Sequence, residues 1–322
     1  MSGDERSIIP VVLSVDVEPD GPGHVPPPLG PWSGALATHA WLTEARDRMG
    51  RLTGRPANFT WALRMDPGVG EVFGTPTFAA AAHPGLLADV TARGDELGVH
   101  VHGWRVLDGE WMDDFGDEAW FAHCVDTALE AFAASVGRPC RISRMGNRFS
   151  SPAVVRQLAA RGVAFDLTME PARVGVADGA WEHVRGAIPD YRRTPRRPHR
   201  LAPGLTEIPL MATSKRLGRD LHAHLSRMRR HGLRERLDHP LHLGGGDPPG
   251  DDFRSMVQRS LARQRRPYLA FAIRSDGILD PAQRGRLADH LDVLLTLPEA
   301  SRLAFVTPGE CVALLSAGRS AG

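Results

Sequence analysis

Short apolar runs, each followed by an amphipathic helical segment, constrain this chain more than any other feature. Residues 8–14 are continuously apolar, as a strand buried on both faces requires. A helical segment follows over 37–49, then a second strand over 57–63. A helix over 83–93 places Leu86, Leu87 and Val90 at core spacing, and residues 97–101 make a third strand. The 118–135 segment sets Phe121, Val125, Leu129 and Phe132 on one helical face. Further strands are expected at 140–143, 163–167, 206–211 and 268–273, with an eighth at 302–306. Ser151-Pro152 is a helix start, serine as cap and proline in the first turn.

Seven or eight strands alternating with helices predict an α/β fold, a distorted (β/α)7–8 barrel. A doubly wound open sheet is the alternative, but no G-x-G-x-x-G follows the first strand, so a dinucleotide site is not supported. The Arg/Pro/Gly-rich stretch 172–205 and the stretch 215–250 lack the apolar residues of a core. They are expected as insertions in a single domain covering residues 1–322.

Charge sharpens this picture. Net charge is +1, yet residues 1–140 hold 20 acidic against 9 basic residues and residues 141–322 hold 18 against 30. Such a split fits two domains or one domain with two differently charged sides. The near-neutral total argues against a nucleic-acid binder. Lys215 is the only lysine, which leaves little room for carboxylated-lysine, Schiff-base or phosphate-loop chemistry. Cys124, Cys140 and Cys311 are odd in number and widely spread, which excludes a disulfide framework and a cysteine metal knuckle. No apolar run reaches the ~20 residues that span a bilayer, and the N-terminus has no signal pattern, so a cytoplasmic location is expected.

Barrel active sites form at the carboxyl ends of the strands. Those positions hold Asp16, Glu18 and Asp20; Arg64 and Asp66; His100 and His102; Arg144, Asn147 and Arg148; Asp166 and Glu170; and Arg274, Ser275 and Asp276. Alternate side chains of a strand share a face, so His100 and His102 can reach one metal, and a carboxylate would complete a common catalytic set. An isolated H-x-H also fits a strand-end pair making ordinary hydrogen bonds. Asp16 and Glu18 crowd one strand end and repel unless a proton or cation lies between them. Arg144 and Arg148 suit a carboxylate or an anionic substrate.

These residues resemble the polysaccharide deacetylases, the NodB-like carbohydrate esterases. SVDVEPDG (14–21) is similar to their first motif, GDELGVHVHGW (94–104) to the second and SRMGNRFS (143–150) to the third. FDLTMEP (165–171) and AFAIRSD (270–276) stand in the places of the later motifs. The resemblance implies a metal-dependent deacetylase releasing acetate from an acetamido sugar. Asp16 would be general base, oriented by Arg144, and Glu18, His100 and His102 would hold a divalent metal, zinc by preference. Trp104, Arg148, Asp166, Glu170 and Arg274 would line the substrate site. Two departures stand out. The family's second motif has histidines four residues apart, whereas Trp104 occupies that position here. The family's last motif supplies a protonating histidine, whereas Arg274 and Asp276 stand here, and of these only Asp276 can give up a proton. A carbohydrate-binding pseudoenzyme and a cyclic-amide hydrolase are the alternatives. The Arg-rich half adds the expectation of an anionic carbohydrate substrate.

Overall fold

In a computed structural model, residues 8–20, 32–171, 173–214, 238–240 and 250–317 are described. In chain order the strands are β1 (Ile9–Val17), β2 (Thr60–Arg64), β3 (Glu96–Val101), β4 (Trp104–Leu107), β5 (Glu110–Asp114), β6 (Ile142–Met145), β7 (Phe165–Asp166), β8 (Val184–Arg185), β9 (His199–Ala202), β10 (Leu205–Glu207), β11 (Ala212–Ser214), β12 (Asp238–Pro240), β13 (Leu269–Arg274) and β14 (Leu303–Phe305).

The main sheet runs β13-β1-β2-β3-β6-β7-β10-β9. Its ladders are parallel from β13 to β10, and only β9 is antiparallel. β1 is buried along its whole length, which explains its unbroken apolar run. The sheet curls until the chain just past β10 meets β13. There Met211 N donates to Ala270 O at 3.0 Å, and Tyr268 Oη donates to Pro209 O at 2.8 Å. The seven expected barrel strands are thus β1, β2, β3, β6, β7, β10 and β13. The eighth, β14, stays outside this ring and pairs with the first residues of β1, Ile9 to Val11.

Helices cover the outside. Helix Glu118–Val136 buries Phe121, Val125, Leu129 and Phe132, the face read from the sequence. Ser151 Oγ caps the helix Pro152–Ala160 by accepting from Val154 N. All three cysteines are buried and free, and burial pushes the Cys140 thiol up to about 12. Of the 215–250 stretch, in which the sequence also predicts a basic helix over 221–237, residues 215–237 and 241–249 lie outside the described residues.

One element was not anticipated. β4 and β5 form a hairpin directly after β3, and β5 also pairs with β8 in a separate three-stranded sheet. Its turn is Asp108-Gly109, both at positive φ (52° and 86°), the conformation that favours Asp-Gly in two-residue hairpins. This hairpin and the 172–205 stretch, which supplies β8 and β9, therefore pack together rather than forming separate excursions.

Close approach inside the barrel demands Gly98 on β3. A Cβ there would lie 2.7 Å from the Ile142 carbonyl oxygen of β6. Gly98→Ala is expected to destabilise the fold by about 1–3 kcal/mol through overpacking, seen as a lower urea midpoint.

Candidate metal centre

Parallel register brings the polar strand ends together. Arg64, His100 and Arg144 are consecutive partners across β2, β3 and β6, while Asp16 faces Arg274 across β1 and β13. Just past β1, Glu18 is pinned by its backbone: its N–H donates to Ser275 Oγ at 2.9 Å, and Ser275 Oγ donates to its carbonyl at 3.3 Å. Asp20 then accepts from Ser33 N and Gly34 N, both at 2.7 Å, and draws in the start of helix Ser33–Thr53. Gly34 has no Cβ, which would sit 2.4 Å from the Ser275 carbonyl.

Glu18, His100 and His102 are buried and converge. His100 Nδ1 lies 3.0 Å from the Arg144 carbonyl oxygen, and His102 Nδ1 lies 2.8 Å from Asp113 Oδ2. Both partners are acceptors, so each Nδ1 carries the hydrogen, and in the neutral form of each ring Nε2 is then left bare. The two Nε2 atoms are 3.1 Å apart. Glu18 oxygens lie 3.6 Å from Nε2 of His100 and 3.8 Å from Nε2 of His102. Three acceptors thus face one another, and a divalent cation satisfies all of them. One carboxylate and two imidazoles, each imidazole tied at its far nitrogen, fit zinc or a similar metal.

The support of His102 comes from residues that sequence reasoning left without a role. Asp113, at the end of the hairpin, accepts from Gly103 N at 2.6 Å and from Asn147 Nδ2 at 2.7 Å. Asn147 and Arg148 both adopt left-handed backbone (φ 47° and 53°), a costly conformation that aims the Asn147 amide at Asp113. Gly146 leaves room for the His102 ring, which a Cβ would approach to 2.2 Å. Strand-end position flags Arg64, Asp66, Asn147 and Ser275. Only the hairpin turn Asp108-Gly109 could have pointed to Asp113.

Charge balance holds Glu18 ionised. Burial alone would raise the Glu18 pKa, but Arg274, joined by the charge and hydrogen bond of the histidines in their protonated, metal-free form, outweighs it and holds the carboxyl well below its ordinary range. Arg274 Nε lies 3.6 Å from Glu18 Oε1, and its Nη2 donates to Asp276 Oδ2 at 2.9 Å. Asp276 is shifted upward by burial, against the pull of Arg274. Arg64 Nε donates to Asp66 Oδ2 at 3.0 Å, and that oxygen also accepts from His102 N at 3.1 Å. Arg144 Nε donates to Asp16 Oδ1 at 2.7 Å, and Asp16 Oδ1 lies 4.0 Å from His100 Nδ1.

The other expected site residues are spread around this centre. Trp104 is buried with its ring centroid 6.3 Å from that of His102. The Arg148 guanidinium stacks 5.5 Å from the ring of Trp181, and Glu170 accepts from Arg173 at 3.2 Å. Asp166 differs from expectation. It is fully buried beneath Arg144, where Ser143 and Thr168 hold its carboxylate, so it has no open face toward a substrate.

The curled parallel sheet, with its carboxylate and histidine cluster at the strand ends, has the architecture of the polysaccharide deacetylase fold. The whole chain superposes on a protein from Mycobacterium smegmatis assigned to the polysaccharide deacetylases, with TM-score 0.54 and 13% identity, covering 99% of this chain and 94% of that one. A protein of the same assignment from Pseudomonas aeruginosa PAO1 gives TM-score 0.54 at 13% identity, covering 95% of this chain and 90% of that one. The allantoinase Puue gives TM-score 0.53 at 13% identity, covering 98% and 92%. At the level of sequence, no protein-family model matches and no curated protein matches.

The hydrogen bond from His102 Nδ1 to Asp113 makes a prediction. Asp113→Asn is expected to weaken zinc binding about 10- to 100-fold, measured by competition with a chromophoric chelator. An affinity equal to that of the unmodified protein would show that His102 is oriented without this carboxylate.

Proposed function

We propose that this chain is a metal-dependent hydrolase that removes an N-acetyl group from an acetamido sugar or a related carbohydrate intermediate. The observation that carries this reading is the convergence of Glu18 and two bare Nε2 atoms beside an aspartate held by a buried arginine. The fold shared with deacetylases supports it.

In this reading Glu18, His100 and His102 hold the metal, which supplies Lewis-acid stabilisation of the charge developing on the amide oxygen. Asp16 takes a proton from the attacking water. Arg144 fixes the direction of that carboxylate, because its Nε–H points at one oxygen and leaves the other free to accept. Asp276 would protonate the leaving amine, and its upward-shifted carboxyl suits that role. Arg274 bridges Glu18 and Asp276 and is 44% exposed, so one side of its guanidinium can meet a substrate.

A negatively charged substrate fits the rim. The chain through Tyr191, whose hydroxyl donates to the Arg148 carbonyl at 2.6 Å, continues into exposed Arg192, Arg193, Arg196 and Arg197. Together with Arg148 and Arg173 they place positive charge along the side of the sheet where β7 and β10 end. Phosphate or carboxylate groups on the sugar would meet it, and binding would weaken with salt. Among the described residues no helix is long and apolar enough to cross a membrane.

Acetate release followed by proton NMR, alongside metal content, tests the reading. His100→Ala and His102→Ala are expected to lose both metal and acetate release. Asp16→Asn is expected to retain metal while its rate falls about 10²- to 10⁴-fold, the usual worth of a general base. Full activity in the histidine variants would overturn the metal assignment, and ring-opening of a cyclic amide without acetate release would overturn the substrate class.

A further inference from the structure

Two carboxyl groups at the floor of the site have no part in the chemistry above. Asp166 and Glu207 are register partners on adjacent parallel strands, β7 and β10, and both are fully buried. Asp166 Oδ1 accepts from Ser143 Oγ at 3.0 Å and from Thr168 Oγ1 at 2.6 Å, and Glu207 Oε1 accepts from Met169 N at 2.8 Å. The second oxygens, Asp166 Oδ2 and Glu207 Oε2, are buried and receive no donor from the other described residues. The two side chains touch each other. Two ionised carboxylates in such contact would leave both oxygens unsatisfied and mutually repelling. One proton between them satisfies both.

We infer that Glu207 carries a proton which it donates to Asp166, and that this pair positions Arg144 and, through it, Asp16. The assignment of the proton to Glu207 follows from the donors. Asp166 receives two hydroxyl hydrogen bonds that stabilise its anion, whereas Glu207 receives one backbone bond. Burial and the neighbouring Asp166 both push the Glu207 carboxyl well above its ordinary range, and the opposing pull of Arg144 does not restore it. Around the pair stand Arg144 from β6, Tyr191 from the 172–205 stretch and Tyr268 beside β13; burial pushes both tyrosines upward, so Arg144 is the cation facing it.

The mechanical link runs through residues 166–169. Thr168 Oγ1 donates to Asp166 and accepts from Met145 N at 2.8 Å, one residue from Arg144. The Leu167 carbonyl accepts from Arg144 Nη1. The segment pinned by the acid pair therefore holds the guanidinium whose Nε grips Asp16. Ionising Glu207 would force the carboxyls apart and shift the Leu167 carbonyl.

This inference does not depend on the reaction, so it is tested on the metal-free protein. Infrared spectroscopy at neutral pH is expected to show a protonated-carboxyl carbonyl band that Glu207→Gln removes. A carboxyl that holds its proton more tightly in the folded chain contributes stability that is fully present below the ordinary glutamate pKa and is lost as pH rises from there through the folded pKa. Urea unfolding should accordingly show wild-type stability declining with rising pH relative to Glu207→Gln, whose amide donates at every pH. For the positioning role, ¹⁵N-arginine NMR should show a slowly exchanging Arg144 Nε–H, identified by its loss in Arg144→Lys. It should be kept in Glu207→Gln and lost in Glu207→Ala. Absence of the carboxyl band, or parallel pH profiles, would overturn the shared proton, and an unchanged Arg144 signal in Glu207→Ala would overturn the positioning.

Discussion

Two guanidiniums, Arg64 and Arg144, are buried at the mouth of this barrel, and the rest of the site depends on how their charge is met. A buried cation carries a desolvation penalty of several kcal/mol, recovered only when carboxylates and carbonyls are fixed around it. Arg64 has Asp66 at hydrogen-bond distance and Glu18 within 3.8 Å. Arg144 has Asp16 and the Leu167 carbonyl. Each arginine thus pairs with a particular acid and makes it point in a particular direction. Asp66 in turn fixes the backbone at His102, and the Arg144 carbonyl fixes the ring of His100. The metal-binding geometry is therefore a consequence of pairing buried charge, not of the three ligands alone.

The uneven charge of the chain takes its meaning from the same pairing. The acidic half contributes Asp16, Glu18, Asp66 and Asp113 with both histidines, and the basic half contributes Arg144, Arg148 and Arg274. The two halves meet where β3 pairs with β6, across residue 140, so the change of sign falls within one sheet and marks no break in it. Opposite charges from the two halves then face each other at short range: Arg144 with Asp16, and Arg274 with Glu18.

The strands and most of the site were legible in the sequence because burial on both faces leaves a continuous apolar run. Parallel strands also end on one side, so the polar residue closing each run marks the site. Asp16, Glu18, His100, His102 and Arg144 were all found this way. The hairpin at residues 104–114 was not, because it lies outside the main sheet, is only partly buried and shows no apolar run. Its signal was the Asp-Gly turn. Asp166 and Glu207 show the opposite limit. The position of Asp166 at a strand end was visible, but its depth was not, since a strand-end residue can turn toward solvent or into the barrel; Glu207 was not singled out, because the expected strand 206–211 put it near the start, whereas β10 ends there.

The hairpin also explains how histidines only two residues apart come to face one carboxylate. Residues four apart share a face on a helix, whereas residues two apart share a face on a strand. β3 ends at Val101, so His102 stands just beyond the ladder and has lost its strand's constraint. Three separate contacts replace it. Asp66 holds its backbone N–H, the missing side chain of Gly146 admits its ring, and Asp113 binds Nδ1. Asp113 can reach there only because the chain reverses at Asp108-Gly109 and returns alongside β4, with Trp104 opposite Asp113 in the ladder. Trp104 stands where the family's spacing would place a histidine, and here it begins the hairpin that brings the supporting carboxylate. The H-x-H spacing and the hairpin thus act together, the hairpin returning the carboxylate that aims the second histidine.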